Sequence, residues 1–196
     1  MKQKTGTKKE ETRKRILEAV HRGFRGKGFD GAGVDGLAKD AGVTSGAFYA
    51  HMGSKAAAFR QAVVEGLDQF HRGLGHFQDD YEQQWLKEFA KFYMDEKRKM
   101  DLPDSCGLQS LSPDVVRADE QTRMLFEEQL RTIAELFKKG LPGNDGEDRV
   151  WQSIAMLVGG VTLARAVMDP ELADEIAGAV INAPLFADSG EGPEQT

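Results

Sequence analysis

This chain of 196 residues has little cysteine, no long apolar run and no secretion signal. Its single cysteine, Cys106, excludes an intrachain disulfide bond and a cysteine-rich zinc site. No apolar run approaches the roughly 18 residues that a membrane-spanning helix needs, and the N-terminus carries no signal-peptide pattern. We therefore expect a reduced, cytoplasmic setting and no membrane partner.

The residue patterns that mark enzymes and metal proteins are missing as well. Among the four histidines, His71 and His76 are five residues apart, which does not match the one-turn spacing of a helical zinc site. The sequence shows no nucleophile paired with a base and no phosphate-binding loop. It therefore predicts no metal, no cofactor and no catalysis, although an enzyme built on a helical bundle stays open as an alternative.

The period-2 alternation of a β-strand is also absent, whereas apolar residues recur at helical spacing along most of the chain. This spacing predicts helices over 8–26, 34–41, 45–51, 55–73, 79–100, 108–116, 119–139, 147–168 and 170–182. The predicted fold class is therefore all-α.

Charge is divided unevenly along the chain. Residues 1–62 hold thirteen Lys and Arg against six Asp and Glu, a net charge of +7, whereas the remaining residues carry −13. A basic head on an acidic body indicates a polyanionic partner for the head alone.

The stretch 34–55, VDGLAKDAGVTSGAFYAHMGSK, has the pattern of two short helices joined by a tight turn. Gly42 ends the first helix, where the backbone often needs a positive φ that glycine adopts without a clash. Thr44 can cap the second helix, and Leu37 and Phe48 are spaced to meet in a small shared core. These features predict a helix-turn-helix, whose second helix lies in the major groove of DNA with its N-terminal residues toward the base edges.

The longer string FDGAGVDGLAKDAGVTSGAFYAHMGSKAAAF resembles the DNA-binding signature of the TetR family of bacterial transcriptional regulators. The matching features are Gly28 and Phe29 at the end of the preceding helix, the AGVTSGAFYAH core, and the GSK-x-x-x-F step into the next helix. The resemblance is dense over residues 10–60, and over 80–196 it is confined to length and helical pattern.

Together, pattern and resemblance divide the chain into three parts. We expect a three-helix, helix-turn-helix DNA-binding domain over 1–54 and a larger helical ligand-binding and dimerisation domain over 55–184. A disordered tail is expected over 185–196, which ends in the polar sequence SGEGPEQT.

The residues expected at base edges are small and uncharged: Thr44, Ser45, Gly46 and Ala47. The resemblance implies phosphate contacts for three further side chains, each able to donate a hydrogen bond: Tyr49, His51 and Lys55. Because the first set offers no bidentate arginine, we expect specificity to rest on hydroxyl groups, water and DNA shape.

Aromatic side chains are concentrated on one predicted helix of the body, between Tyr81 and Tyr93. An apolar cavity between bundle helices is a common ligand site, and the candidates for its lining are Trp85, Phe89, Phe92, Tyr93, Gln109 and Phe126. Ordinary core packing is the alternative for the aromatic residues. Cys106 lies in a break before a helix, where a thiol is either reactive or an inert small residue.

Two glycines, Gly159 and Gly160, interrupt a strongly apolar helix, at a cost of about 1 kcal/mol each relative to alanine. Close approach of another helix would offset this cost. We expect this helix and the next to form an intersubunit four-helix bundle, as the resemblance also implies, and close packing inside one subunit is the alternative. The predicted interface residues are Gly159, Gly160, Leu163, Ala173 and Ala177.

The sequence thus predicts a homodimeric, sequence-specific transcriptional regulator that binds palindromic double-stranded DNA. The favoured form is a repressor released by a small apolar or aromatic ligand. The alternatives are a regulator without such a ligand, acting as an activator or as a thiol sensor through Cys106, a helical-bundle enzyme, and a helical protein that binds DNA without sequence preference.

Overall fold

The structure, a computed structural model, describes residues 7–141 and 146–186. This part of the chain forms helices and turns without a strand, which confirms the all-α fold. Its α-helices are α1 (Lys8–Gly31), α2 (Val34–Asp40), α3 (Ser45–Met52), α4 (Lys55–Tyr81), α5 (Trp85–Lys91), α6 (Gly107–Val115), α7 (Glu120–Gly140), α8 (Gly146–Ala166) and α9 (Pro170–Ile181). The predicted tail lies outside the described residues from 187 onward.

Two compact units share the chain. The first holds the residues up to 66 together with 101–126, and the second holds 67–100 together with the residues from 127 onward. The sequence predicts one domain boundary, after residue 54. In the structure, residues 101–126 belong to the same compact unit as the N-terminal helices. The Nη1 of Arg25 donates to the carbonyl oxygen of Ser105 at 3.3 Å, and a Cβ at Gly26 would lie 3.1 Å from the ring of Pro103.

Helix α1 begins with a capping box at Thr7 and continues five residues past its predicted end. The Thr7 hydroxyl accepts a hydrogen bond from the amide of Glu10, while the Glu10 carboxylate accepts one from the amide of Thr7 at 2.6 Å. Gly28 interrupts the helix with a φ of 70°, and the next amide, of Phe29, donates to the Asp114 carboxylate at 2.8 Å. The helix therefore bends and resumes, because a side chain from outside it binds the exposed amide.

The first unit has a core of aliphatic and aromatic side chains. Ile16, Val20 and Phe24 are fully buried on one face of α1. The ring of Phe59, on α4, meets Phe24 edge-on at 5.2 Å and Phe29 at 5.1 Å between centroids. This aromatic contact joins α1 to α4, the helices that precede and follow the short pair α2 and α3 in the chain.

Helix α6 lies against α4 within the first unit. A Cβ placed on Gly107 would lie 2.5 Å from the Cα of Gly66, a distance that real Cβ atoms do not reach. The two backbones therefore touch, and a side chain on Gly107 would force them apart.

The second unit is built around stacked and edge-to-face rings. Phe89 lies 5.7 Å from Tyr93 and 5.3 Å from Phe77, measured between ring centroids. The indole of Trp85 donates to the carbonyl oxygen of Gly140 at 2.7 Å. No helix in the described ranges combines the length and apolarity needed to cross a membrane.

Candidate nucleic-acid interface

The turn between α2 and α3 has the geometry that the sequence predicts. Gly42 has a φ of 65°. Its amide donates to the carbonyl oxygen of Lys39 at 3.0 Å, and the amide of Val43 donates to the carbonyl oxygen of Ala38 at 2.9 Å. Thr44 then caps α3, since its hydroxyl accepts from the amide of Ala47 at 3.2 Å. The positive φ and the cap are both confirmed.

One face of α3 is anchored in the first unit and the other is left open. Phe48 and Met52 of α3 are buried, and so is Leu37 of α2, which is 2% exposed. Thr44 and Tyr49 lie on the solvent side. Two short helices joined by a tight turn, with the second presenting a free face, form a helix-turn-helix in which α3 is the recognition helix.

The four residues predicted to read bases lie at the start of α3. Thr44 and Gly46 are exposed, while Ser45 and Ala47 are half-buried. The Ser45 hydroxyl donates to the carboxylate of Asp35, on α2, at 2.6 Å. Sequence reasoning missed Asp35, although an acidic residue among the basic ones of the head is a signal that could have found it.

The three predicted phosphate ligands occupy different settings. Tyr49 is 49% exposed and packs its ring edge-on against Phe48. His51 is half-buried, and Lys55 holds its Nζ 4.6 Å above the ring of Phe29, a cation–π contact. Their contacts with DNA stay predictions.

Arg13 is a second residue whose role the sequence did not reveal. Its Nη1 donates to the carbonyl oxygen of His51 at 3.1 Å, and its Nη2 donates to the side-chain oxygen of Gln61 at 3.0 Å. One guanidinium thereby joins α1 to the last turn of α3 and to α4. Its two partners are 38 and 48 residues away along the chain, so no local pattern points to it.

A comparison with protein-family models decides what this motif is. Residues 16–62, which contain the bent end of α1, the helix-turn-helix and the start of α4, match the model described as bacterial regulatory proteins, tetR family. This segment is similar to the TetR family of bacterial regulatory proteins. The predicted TetR resemblance is therefore confirmed over these residues, and the match supports a role in DNA-binding regulation. No curated protein sequence matches the chain.

Solved structures extend the likeness to the whole fold. A TetR-family transcriptional regulator from Cytophaga hutchinsonii has a TM-score of 0.75 at 19% identity, with 93% of this chain and 96% of that one covered. The reduced form of E. coli NemR has a TM-score of 0.71 at 20% identity, over 86% and 94% of the two chains. FadR from Bacillus subtilis, in complex with stearoyl-CoA, has a TM-score of 0.61 at 12% identity, over 86% and 97%.

The residues predicted to line a ligand pocket are distributed over both compact units. Trp85, Phe89 and Tyr93 are at most 3% exposed, and they pack against other rings of the second unit. Phe92 is half-buried in the same unit, whereas Gln109 and Phe126 belong to the first. The buried rings are part of the hydrophobic core, and the ligand pocket stays a prediction.

Cys106 occupies the N-cap position of α6, as its place before a helix suggested. Its side chain is only 6% exposed. Reactive thiols are usually reachable from solvent, so this burial favours an inert residue over a sensor. Within the described residues, no group of three His, Cys, Asp or Glu side chains is placed to hold a metal ion.

The predicted dimer residues divide into inward and outward sets. Gly160 faces its own protomer, where a Cβ would lie 2.7 Å from Val180 and 3.1 Å from Met94. Ala173 and Ala177 are also buried within the protomer. These three positions follow the alternative of close packing inside one subunit, so they offer no surface to a second copy. Gly159, with no atom within 4 Å of a built Cβ, and Leu163, 61% exposed, face outward.

Proposed function

We propose that this chain is a homodimeric, sequence-specific repressor that leaves its operator DNA when a small molecule binds to its helical body. The observation that carries the proposal is the open face of α3, held in place by Thr44, Phe48 and Arg13. A rigid recognition helix with a solvent-facing side suits the major groove. The net charge of +7 over residues 1–62 adds attraction to phosphate.

The exposed apolar residues of α8 and α9 support dimerisation through these helices. Trp151, Leu163 and Leu172 are 40%, 61% and 41% exposed, and Gly178, like Gly159, has no atom within 4 Å of a built Cβ. Apolar side chains beside bare glycine backbone suit the close approach of other helices. Two copies related by a two-fold axis would present two recognition helices to a palindrome.

The TetR-type fold of the body supports a small-molecule effector. FadR, which shares this fold, was solved with stearoyl-CoA bound. In the present chain, α4 begins next to the recognition helix and runs on into the second unit. A ligand that favours one arrangement of the body would act on DNA affinity through this helix, provided that it binds the two arrangements differently.

Selection of bound duplexes from a random-sequence pool tests the DNA-binding part of the proposal. We expect two inverted half-sites whose centres are about 34 Å apart, one helical turn, or a multiple of that distance. Enrichment of a single half-site would argue against the dimer. Absence of any enriched sequence would refute the proposed function.

Calorimetry tests whether a small molecule binds the protein and weakens its binding to DNA. A compound from a panel of acyl-CoAs and small aromatic molecules that raises the melting temperature of the protein should also weaken its binding to the selected operator. Binding linkage requires the operator to weaken binding of that compound by the same factor, typically about 5- to 150-fold. Equal ligand affinity with and without operator would show that the ligand is not an inducer.

A further inference from the structure

The hydrogen bond between Ser45 and Asp35 fixes what the start of the recognition helix can offer to DNA. At 2.6 Å it has the length of a charge-assisted bond between a hydroxyl and a carboxylate. A serine hydroxyl has one proton and two lone pairs, so a proton donated to Asp35 leaves Ser45 with acceptor capacity only. The carboxylate itself has acceptor sites and no proton to donate.

This acceptor pair lies where a helix-turn-helix meets bases. Ser45 is the first residue of α3, and Asp35 lies in the first turn of α2, where its side chain is exposed. The N-terminal residues of the second helix of such a motif contact base edges, while the first helix crosses the backbone. The hydrogen bond holds the Asp35 carboxylate at the same end of α3 as Ser45.

Only two bases present a matching donor in the major groove. Cytosine presents its N4 amino group and adenine its N6 amino group, whereas guanine and thymine present acceptors there. Adenine also places its N7 acceptor beside the amino group, which an acceptor-only pair would repel. Cytosine has no acceptor at that position, so it is the better match, and aspartate is a known acceptor for the cytosine amino group.

We propose that Asp35 and Ser45 form an acceptor-only reading pair that selects cytosine at one position of each half-site. The inference rests on the proposed function and adds to it a residue that determines specificity. It also explains why a DNA-binding head of net charge +7 keeps a carboxylate beside its recognition helix. That charge weakens attraction to every phosphate, and its benefit is discrimination between bases rather than affinity.

The test uses the full-length protein and the operator obtained by selection. Each position of one half-site is replaced in turn by the other three bases, and affinities are measured for the wild type, Asp35→Ala, Asp35→Asn and Ser45→Ala. Asp40→Ala is the matched control, because Asp40 is an exposed carboxylate at the other end of α2. Removing it changes the net charge by the same amount.

The wild type should prefer cytosine at one position by about fivefold or more, the lower end of a typical mismatch effect. Asp35→Ala should abolish that preference and leave the other positions unchanged. Asp35→Asn should weaken it and admit adenine, since an amide can bond adenine at N6 and N7. Ser45→Ala should reduce the preference less than Asp35→Ala. Asp40→Ala should strengthen binding to all sequences equally.

Three results separate the outcomes. If Asp35→Ala behaves like Asp40→Ala, with a uniform gain in affinity and an unchanged base preference, Asp35 only braces the two helices and the inference is wrong. The inference is also wrong if Asp35→Asn retains the full preference for cytosine. This second variant decides the question if Asp35→Ala does not fold. If the wild type enriches no sequence at all, the proposed function itself fails.

Discussion

Arg13 is the residue that holds the recognition helix from behind, through the carbonyl of His51 and the side chain of Gln61. A side chain that positions α3 should affect binding differently from one that contacts phosphate. Each phosphate contact contributes about 0.9 to the slope of log K against log salt. A positioning residue contributes affinity without contributing to that slope.

We therefore expect Arg13→Ala to weaken operator binding while leaving the salt slope unchanged. Lys55→Ala, at a predicted phosphate ligand, should reduce the slope by about 0.9. Arg13→Lys should fail to rescue binding, because one ammonium cannot reproduce the fixed geometry of two guanidinium nitrogens. Fluorescence anisotropy at several salt concentrations measures both quantities. Rescue by lysine together with a reduced slope for Arg13→Ala would identify Arg13 as a phosphate ligand instead.

His21 is a half-buried titratable residue of the first unit. Its Nε2 has no hydrogen-bond partner among the described residues. Burial lowers the pKa of the imidazole, against an opposing effect of Glu65, while Arg25 lowers the pKa further and Glu18 raises it. The unfolded chain therefore binds a proton more readily than the folded one at pH values between the folded and unfolded pKa values of His21.

The stability of the protein should consequently fall as the pH is lowered through about 6.5, the ordinary pKa of histidine, and this loss should level off below the folded pKa. His21→Leu should remove this part of the pH dependence, whereas His76→Leu, at an exposed position, should retain it. Urea denaturation between about pH 7 and pH 5 measures the effect. Identical pH dependence in both variants would show that His21 is not responsible.

At the scale of helices, the adjacent glycines of α8 have opposite surroundings. Gly160 packs against Val180 and Met94, and Gly159 faces open space. Gly160→Leu should lower the free energy of unfolding by about 1–3 kcal/mol or more, because bulk is forced into a packed contact. Gly159→Leu should leave the protomer folded and dissociate the proposed dimer.

Analytical ultracentrifugation and thermal unfolding of both variants separate the two effects. Gly159→Leu is expected to sediment as a folded monomer under conditions where the wild type is a dimer. A Gly159→Leu variant with the wild-type dimer dissociation constant would place the interface elsewhere on the chain.

Across the whole molecule, the features that the sequence predicts are those set by neighbours in the chain. The cap at Thr44, the positive φ of Gly42 and the helical fold depend on local spacing and are confirmed. Periodicity identifies one apolar face of a helix, but it does not say whether the covering surface comes from the same protomer. The inward packing of Gly160 was for this reason not predictable from its helix alone.

Contacts between segments that are distant in the chain were also not predictable from the sequence. Residues 101–126 group with the N-terminal helices, and one of their contacts there is that of Gly107 with Gly66. Two single glycines 41 positions apart form no recognisable motif. Trp85 was predicted as pocket lining because it is aromatic, yet its indole is satisfied by the carbonyl of Gly140 and its ring is buried. Composition places aromatic residues in an apolar interior but does not distinguish a core from a cavity.

The central claim is that the N-terminal helix-turn-helix domain binds DNA with sequence specificity. Its most direct test is an anisotropy titration of the selected operator against a scrambled duplex of equal length and composition, repeated over a range of salt concentrations. The operator should bind at least about 10³-fold more tightly than the scrambled duplex, and log K should fall by about 0.9 for each phosphate neutralised. Equal affinity for the two duplexes, or a salt slope near zero, would contradict the claim.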